Sequence, residues 1–510
     1  WCFVMEKNKP NKVVDIVGAG LAGSEAALQL ANRGCFVRLF EMRPSVATPV
    51  HKTDNCAELV CSNSLKSTKP ESAAGMLKHE LTALGSVVLK CAYDTRVAAG
   101  GALAVDREAF SEAVTAQIDK HASIARINAE VVGIAPDGAL LVSKRYDAVP
   151  FFGCVNGCGA ARQDEQRKVF CSKRAEDNTE GPFTLFDPAD AVIIASGPLT
   201  SSSLASFVRE LTGEDDLAFY DAAAPVVMAD SLDHSKVFSQ SRYEGEGEGD
   251  YLNAPFDKES YERFINELVK ADRVIKREFE TADLFQACQP IEEIARRGFD
   301  APRFGPLKPV GLTDPTTGRR PWAVVQLRAE DAYKQSFNLV GFQTNLTFSE
   351  QKRVFRMIPG LEQAEFARYG VMHRNTFINA PHLLDASLQL KSDNANKLPI
   401  PLFVAGQFGG TEGYCEAIAS GLWVALGVCA YLKGESLSPL PKETAFGALL
   451  AYATSEETID YQPMHVNFGI MPPFEPKIRN KKERYAAYAL RGKQALSHYC
   501  DNELSKLGIL

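Results

Sequence analysis

The chain has 510 residues, 45% hydrophobic and 24% charged, with 56 Lys plus Arg against 64 Asp plus Glu for a net charge of −8. That size excludes a small disulfide-stapled scaffold, and 9% aromatic residues with mixed charge exclude global disorder, because enough apolar surface exists to offset the entropy of ordering. The acidic balance excludes a protein wrapped in positive field for nucleic acid, while leaving room for local basic faces.

Two or three domains are expected from the length. Leu422 to Leu432 is too short for a membrane span and fits a buried helix. Trp1 to Val4 is far shorter than a signal core, Met5 looks like the natural start, and the 12 scattered cysteines fit reduced thiols in a cytoplasmic protein.

Val13 to Val17 is a β-branched run that ends in Gly18-Ala19-Gly20-Leu21-Ala22-Gly23. A helical pattern from Ser24 to Arg33 follows, closed by Gly34, and a second strand from Phe36 to Phe40 ends at Glu41. This βαβ unit carries the glycines a dinucleotide needs: one for the tight turn, one for close approach of a pyrophosphate, one to pack helix on strand. The helix N-terminus faces the phosphates, and Glu41 stands where a carboxylate bonds a ribose hydroxyl.

Between the two ends, Leu204 to Asp300 is rich in helix-like and polar segments, with an acidic loop at Glu244 to Asp250. Residues 301–322 are dense in Pro, Gly and basic side chains. Strand patterns return at Ala323 to Leu327 and Asn338 to Val340.

A second Gly-rich strand-to-helix turn lies far downstream: Leu402 to Gln407 leads through Phe408-Gly409-Gly410-Thr411-Glu412-Gly413-Tyr414 into a helix from Cys415. Two such turns imply one nucleotide domain split by an insertion, with Gly406, Gln407 and Gly413 beside the cofactor, a layout that suits FAD better than NAD. The expected fold class is α/β, a Rossmann-like FAD-binding domain of the glutathione-reductase kind split by an inserted α/β domain. The expected domains are 12–200, an insert at 201–335, the return of the FAD domain at 336–435, and a basic helical segment at 436–510.

Longer blocks carry a resemblance. Asp54 to Ser64, Gly100 to Arg107, Phe219 to Pro225, Val340 to Leu346, Gly370 to Thr376 and Pro463 to Gly469 resemble the folate-dependent tRNA uracil-5 methyltransferase family, TrmFO, over about residues 12–490. That family is similar to the glucose-inhibited-division flavoproteins, which modify the wobble uridine of tRNA. The resemblance implies FAD as cofactor, 5,10-methylenetetrahydrofolate as one-carbon donor, NAD(P)H as reductant and the T-loop uridine of tRNA as acceptor, with no membrane and no obligatory protein partner.

Uracil C5 is a poor nucleophile until a thiolate adds at C6, and a base must then take the C5 proton. Cys288 precedes Pro290 and a short helical pattern stopped by Gly298, so a thiol there feels the positive end of a helix. Arg296 and Arg297 add to that field if they fold back. The resemblance places the attacking cysteine at Cys288 and sets Cys61 beside the flavin ring, as proton acceptor or pocket wall. Cys56 is expected to be structural, since Cys-x4-Cys without a second pair is a poor zinc signal.

Asn345, His373, Arg374 and Asn375 are expected folate contacts. For tRNA, residues 477–493 carry seven basic side chains and one acid, Glu483, with Tyr485, Tyr488 and Arg491 at near-helical spacing. Arg303, Lys308, Arg319 and Arg320 offer a second basic face near Cys288.

Two departures from the family pattern stand out. Residues 147–188 form an insertion containing Cys154, Cys158 and Cys171, expected to be a surface excursion rather than a metal site because a fourth ligand is lacking. Ala254 stands where the family commonly has cysteine. Two other functions fit parts of the pattern: wobble-uridine modification of the glucose-inhibited-division kind, and a tRNA-folding flavoprotein without catalysis. The runs around Cys61 and His373, and the presence of both thiols, favour the methyltransferase.

Overall fold

Strands that are apolar on both faces belong in the middle of a helix-covered parallel sheet. β1 (Val13–Val17) and β2 (Phe36–Glu41) are of this kind, with α1 (Leu21–Asn32) between them. They pair in parallel with Ala191–Ile194, Leu402–Val404 and Ile124–Ile134, and an antiparallel extension through Leu140–Tyr146 and Phe183–Thr184 completes a seven-stranded sheet. The computed structural model describes residues 12–48, 50–146, 182–214, 217–222, 224–242, 249–274, 289–370, 372–391, 397–458 and 461–509. Cys288 and the insertion cysteines Cys154, Cys158 and Cys171 lie outside these residues.

Asp15 and Arg38 interrupt the apolar runs on neighbouring strands at the same register. Arg38 donates from Nη2 to Asp15 Oδ2 at 2.8 Å, both side chains are almost fully buried, and the guanidinium lies 4.9 Å from the Phe186 ring centroid. Each charge is tolerated because the other neutralises it.

The second turn delivers the Tyr414–Leu432 helix, whose most apolar window is 83% buried. It crosses α1 so closely that a Cβ on Gly421 would lie 2.1 Å from the Ala22 carbonyl oxygen. Helix Ser202–Thr212 joins this same core through Leu204, Val208 and Leu211, as do Ala445–Thr454 and Lys481–Tyr499 from the C-terminal part. The Arg33 guanidinium donates to the Ile509 carbonyl at 2.6 Å, tying the chain's last described residue to the end of α1.

The insert is a six-stranded antiparallel sheet in the order Phe238–Ser239, Tyr251–Phe256, Ala323–Ala329, Ser336–Leu339, Val226–Met228, Phe366–Arg368. One face packs Ala254, Phe256, Val325, Leu327 and Leu339 against helices Lys258–Lys270, Ile291–Arg297 and Phe348–Phe355. A two-stranded ribbon, Leu217–Ala222 with Met372–Phe377, stands at its entrance and exit. The insert therefore begins near 217 and ends near 377, not at 201 and 335. Helix Ser202–Thr212 has its apolar side on the nucleotide-domain sheet, and strand Ser336–Leu339 is the hairpin partner of Ala323–Ala329.

Candidate active site

Each glycine of the first turn has its own geometry. Gly18 turns the chain at φ +101°, where a Cβ would meet the Ala195 carbonyl oxygen at 2.6 Å. Gly23 seats α1 on that turn, since its Cβ would lie 1.9 Å from the Gly18 carbonyl oxygen. At Gly20 the same added carbon meets nothing within 4 Å, so backbone is open to a ligand there.

Gly18, Gly20, Leu21, Ala22, Glu41, Gly406, Gln407 and Gly413 all line one cleft, together with Cys61 and Tyr414. The two turns predicted separately thus meet, with the first residues of α1 and of the Tyr414–Leu432 helix both on its wall. Ala19 and Gly23, expected at the cofactor, stand behind the wall. Ala19 is fully buried and its N–H donates to Glu41 Oε2 at 3.0 Å, while Gly23 packs against the Gly18 backbone.

Glu41 is held by its neighbours before any ligand arrives. Burial, the largest influence, opposes its charge, but Arg43 Nε donating at 2.9 Å and the Ala19 and Arg43 amides bring the carboxyl below its ordinary value. Three donors leave this carboxylate about one acceptor site, on Oε2, for a ribose hydroxyl. The Gln407 amide nitrogen is buried with no hydrogen-bond partner among the described residues, a donor facing the cleft side of the second turn. Open backbone at Gly20, a second helix N-terminus on the same cleft, a fixed acid and an unspent amide fit a dinucleotide.

Cys61 lines the cleft, and its loop is clamped from both domains. The Tyr414 hydroxyl oxygen accepts the N–H groups of Cys61 and Ser62 at 3.0 and 3.1 Å. From the nucleotide domain, Arg107 donates to the Leu59 carbonyl at 2.6 Å and pairs with Glu330 of the insert. From the insert, Arg368 donates to the carbonyls of Val60 and Cys61 at 3.3 and 3.4 Å, and Arg328 donates to Asn63 Oδ1 at 2.7 Å.

The strand alternation explains this polar layer. Arg328, Asn338 and Val226 are cross-strand neighbours on the face opposite the insert's core, and Arg368 is paired with Val226. A β-bulge between the pairs Val226–Arg368 and Val227–Phe366 lets Phe366 join the core while Arg368 turns to the polar face. Arg328, Glu330 and Arg368 carry no signature in sequence, because only strand register and the bulge bring them together. Tyr414 and Arg107 do stand within motifs noted above, without a readable role.

The remaining candidates are dispersed. Asn345 is buried in the turn after Ser336–Leu339 and does not line the cleft; its N–H donates to Glu292 Oε1 at 2.6 Å. His373 and Arg374 lie on the ribbon strand opposite Asp221 and Tyr220, and only their backbone is described. Next to them Asn375 is buried with both side-chain polar atoms lacking a partner among the described residues, and Thr376 N–H donates to the carbonyl of Pro198, which lines the cleft. Cys56 is buried, with Arg126 Nη1 3.8 Å from its sulfur, and burial raises its thiol above the ordinary value.

The helix after Cys288 runs Ile291–Arg297, so Pro290 is its cap rather than its first residue, and Gly298 ends it. Arg297 does fold back, donating to the Gln289 side chain at 2.9 Å, whereas Arg296 turns away to the Val269 carbonyl. Inside this helix Glu292 is fully buried. Burial, the main cause, pushes its carboxyl up to about 7 against the amide of Asn345 and the hydroxyl of Thr344, which favour the charged form.

The folded protein therefore holds that proton up to about 7, while the unfolded chain releases it near 4.5. Between those values the folded state binds more protons, so stability falls as pH rises, by on the order of 3 kcal/mol for this group. Urea unfolding of Glu292→Gln between pH 4.5 and 7.5 should show that part of the slope removed; an unchanged slope rules out the assignment.

The basic segment at 477–493 corrects its expected use in part. Tyr485 and Tyr488 stack on Phe468 with centroids 4.2 and 5.0 Å apart, and Arg491 lies 4.2 Å from the Phe474 ring. That stripe faces inward and packs the helix onto the nucleotide domain. The exposed cations are Lys477, Arg479, Lys481, Lys482 and Lys493. Among the described residues no group of three His, Cys, Asp or Glu side chains is placed to hold a metal ion.

Residues 13–436 match the family model described as glucose inhibited division protein A. The solved structure of Aquifex aeolicus GidA superposes with a TM-score of 0.64 at 16% identity, covering 98% of this chain and 74% of that one, which establishes the shared fold. Curated relatives named methylenetetrahydrofolate--tRNA-(uracil-5-)-methyltransferase TrmFO are far more similar. That of Pelotomaculum thermopropionicum is 46% identical over 488 residues, 96% of this chain and 98% of the relative. Those of Symbiobacterium thermophilum and Geobacter sulfurreducens are each 47% identical, over 96% and 95% of this chain and 98% of each relative. With identity of this order along nearly its whole length, and the two Gly-rich turns joined in one cleft, the chain belongs to the TrmFO family of the glucose-inhibited-division fold.

Proposed function

We propose that this chain is a transferase that methylates uridine C5 in the T-loop of tRNA, with methylenetetrahydrofolate as carbon donor, FAD in the cleft and NAD(P)H as reductant. The observation that carries this reading is the single cleft shared by both Gly-rich turns and Cys61, in a chain 46% identical to a named methyltransferase over 488 residues. When bound, FAD supplies the reducing power that takes a methylene to a methyl group.

The chain's own residues do the rest. Backbone at Gly20 and Gly406 meets the pyrophosphate, and Glu41 accepts a ribose hydroxyl. The Cys288 thiolate adds at uracil C6, which makes C5 nucleophilic, and it leaves once the carbon is attached. Cys61, held by Tyr414, Arg107 and Arg368, accepts the C5 proton. Asn375 offers an unspent buried amide to a folate ring, with His373 and Arg374 beside it on the same strand as further contacts.

Unmodified tRNA incubated with labelled methylenetetrahydrofolate and NADPH should gain label at C5 of the T-loop uridine; no label there overturns the reading. Cys288→Ala should abolish covalent trapping of a 5-fluorouridine T-loop RNA, and Cys61→Ala should retain it. Trapping by Cys288→Ala would assign the attack to another residue.

A further inference from the structure

The insert carries an exposed aromatic and cationic surface that the cleft does not use. Phe304 is 80% exposed and Phe299 41%, six residues or fewer from each other in sequence, on the segment that leads away from helix Ile291–Arg297. Between them Arg303 lies flat on Trp322, its guanidinium carbon 3.6 Å from the ring centroid and its Nε donating to the Trp322 carbonyl at 3.0 Å. The Trp322 indole nitrogen has no hydrogen-bond partner among the described residues.

The charge around these rings is opposite to that of the whole chain. Residues 296–320 contain six cations and two acids, in a protein of net charge −8. Arg296, Arg297, Lys308, Arg319 and Arg320 are exposed. Of the acids, Asp314 accepts the Thr316 amide of its own turn at 2.8 Å, and Asp300 faces Arg303 at 3.3 Å. Phe299 packs edge-on against Tyr261 with ring centroids 6.0 Å apart, which leaves the Phe304 ring as the open face. An open aromatic face set among exposed cations matches the two surfaces of a single-stranded nucleic acid, base planes and phosphates. A protein-binding face concentrates its apolar area and thins out its charges toward the centre.

We propose that Phe304, with Phe299 and the Arg303–Trp322 pair beside it, is a platform on which an unpaired loop base next to the target uridine stacks, while Arg319 and Arg320 hold the loop phosphates. The proposal rests on the reading of RNA as substrate. Its physical need is plain: a uridine attacked at C6 has to leave its stack, and the neighbours it abandons require a new surface. Arg297, at the end of the helix that leads into this segment, donates to the Gln289 side chain at 2.9 Å, and Gln289 follows Cys288 in sequence.

The test uses the flavin-loaded enzyme and a T-arm stem-loop RNA with 2-aminopurine beside the target uridine. Wild type should quench the 2-aminopurine on binding; Phe304→Ser should lose the quench and raise KM for the RNA about tenfold, with kcat little changed, and Phe304→Trp should restore both. Arg319→Gln with Arg320→Gln should lower the slope of log affinity against log salt by about 1.4. Flavin content and melting temperature equal to wild type establish that the variants fold. If wild type methylates the RNA and Phe304→Ser matches it in quench and KM, the platform is wrong and the methyltransferase reading stands. If wild type neither binds nor methylates the RNA, the reading fails first and the platform with it.

Discussion

Glu330→Ala is expected to destabilise the protein by about 3–5 kcal/mol and to free the Cys61 loop. Glu330 is 7% exposed and is the acid paired with Arg107 in a layer that also holds Arg328 and Arg368. Burial lowers the pKa of Arg328 and brings Arg368 down to about 10, with the charge of Arg107 adding to the strain on both. The other acceptors in the layer are neutral: carbonyls of Leu59, Val60 and Cys61, and the Asn63 amide.

Without the carboxylate, three guanidinium groups share one low-dielectric space with no counter-charge paired to Arg107. Urea unfolding measures the stability, and the rate of Cys61 alkylation in the folded enzyme measures the loop. A loss under 1 kcal/mol with unchanged alkylation would mean that water reaches this layer and screens it. Glu330→Gln keeps the shape and one acceptor, and should fall between wild type and alanine.

Two neighbouring glycines should separate folding from cofactor binding. Gly23→Ala drives a methyl group to 1.9 Å from the Gly18 carbonyl oxygen, backbone against backbone, so α1 must lift off the turn. The expected outcome is loss of bound flavin together with a destabilisation of about 3 kcal/mol or more. Gly20→Ala meets no atom within 4 Å, and Gly20 has φ −71°, which alanine adopts without strain. It should keep the apoprotein's melting temperature and lose flavin affinity alone. Flavin absorbance and calorimetry on both variants read the two effects; equal melting losses would contradict the division of labour between these glycines.

What could be read in the sequence was what local pattern carries. β1, α1 and β2 appear at their expected places, although α1 starts at Leu21 rather than Ser24 because the turn itself supplies the first helical residues. The partnership of the Gly18 and Gly406 turns was legible because each punctuates a strand before a helix. The polar clamp on Cys61 was not, since Arg328, Asn338 and Arg368 align through antiparallel register and one bulge. The Tyr485, Tyr488, Arg491 stripe misled for a related reason: helical spacing marks a face without saying what covers it, and Phe468 and Phe474 cover this one. The boundary expected at 336 failed because an apolar run such as Ser336–Leu339 looks the same in either sheet.

The way the two sheets interleave also dictates an order of assembly. Strand Leu402–Val404 pairs with Ala191–Ile194, and everything between them includes the whole insert. On the ribosome the insert's strands, from Val226 to Arg368, have all emerged before the nucleotide-domain sheet gains its last parallel strand. The host is thus an open half-sheet while its guest can already be complete, and closing it means joining ends separated by some two hundred residues, a long-range step that local chain contacts cannot speed.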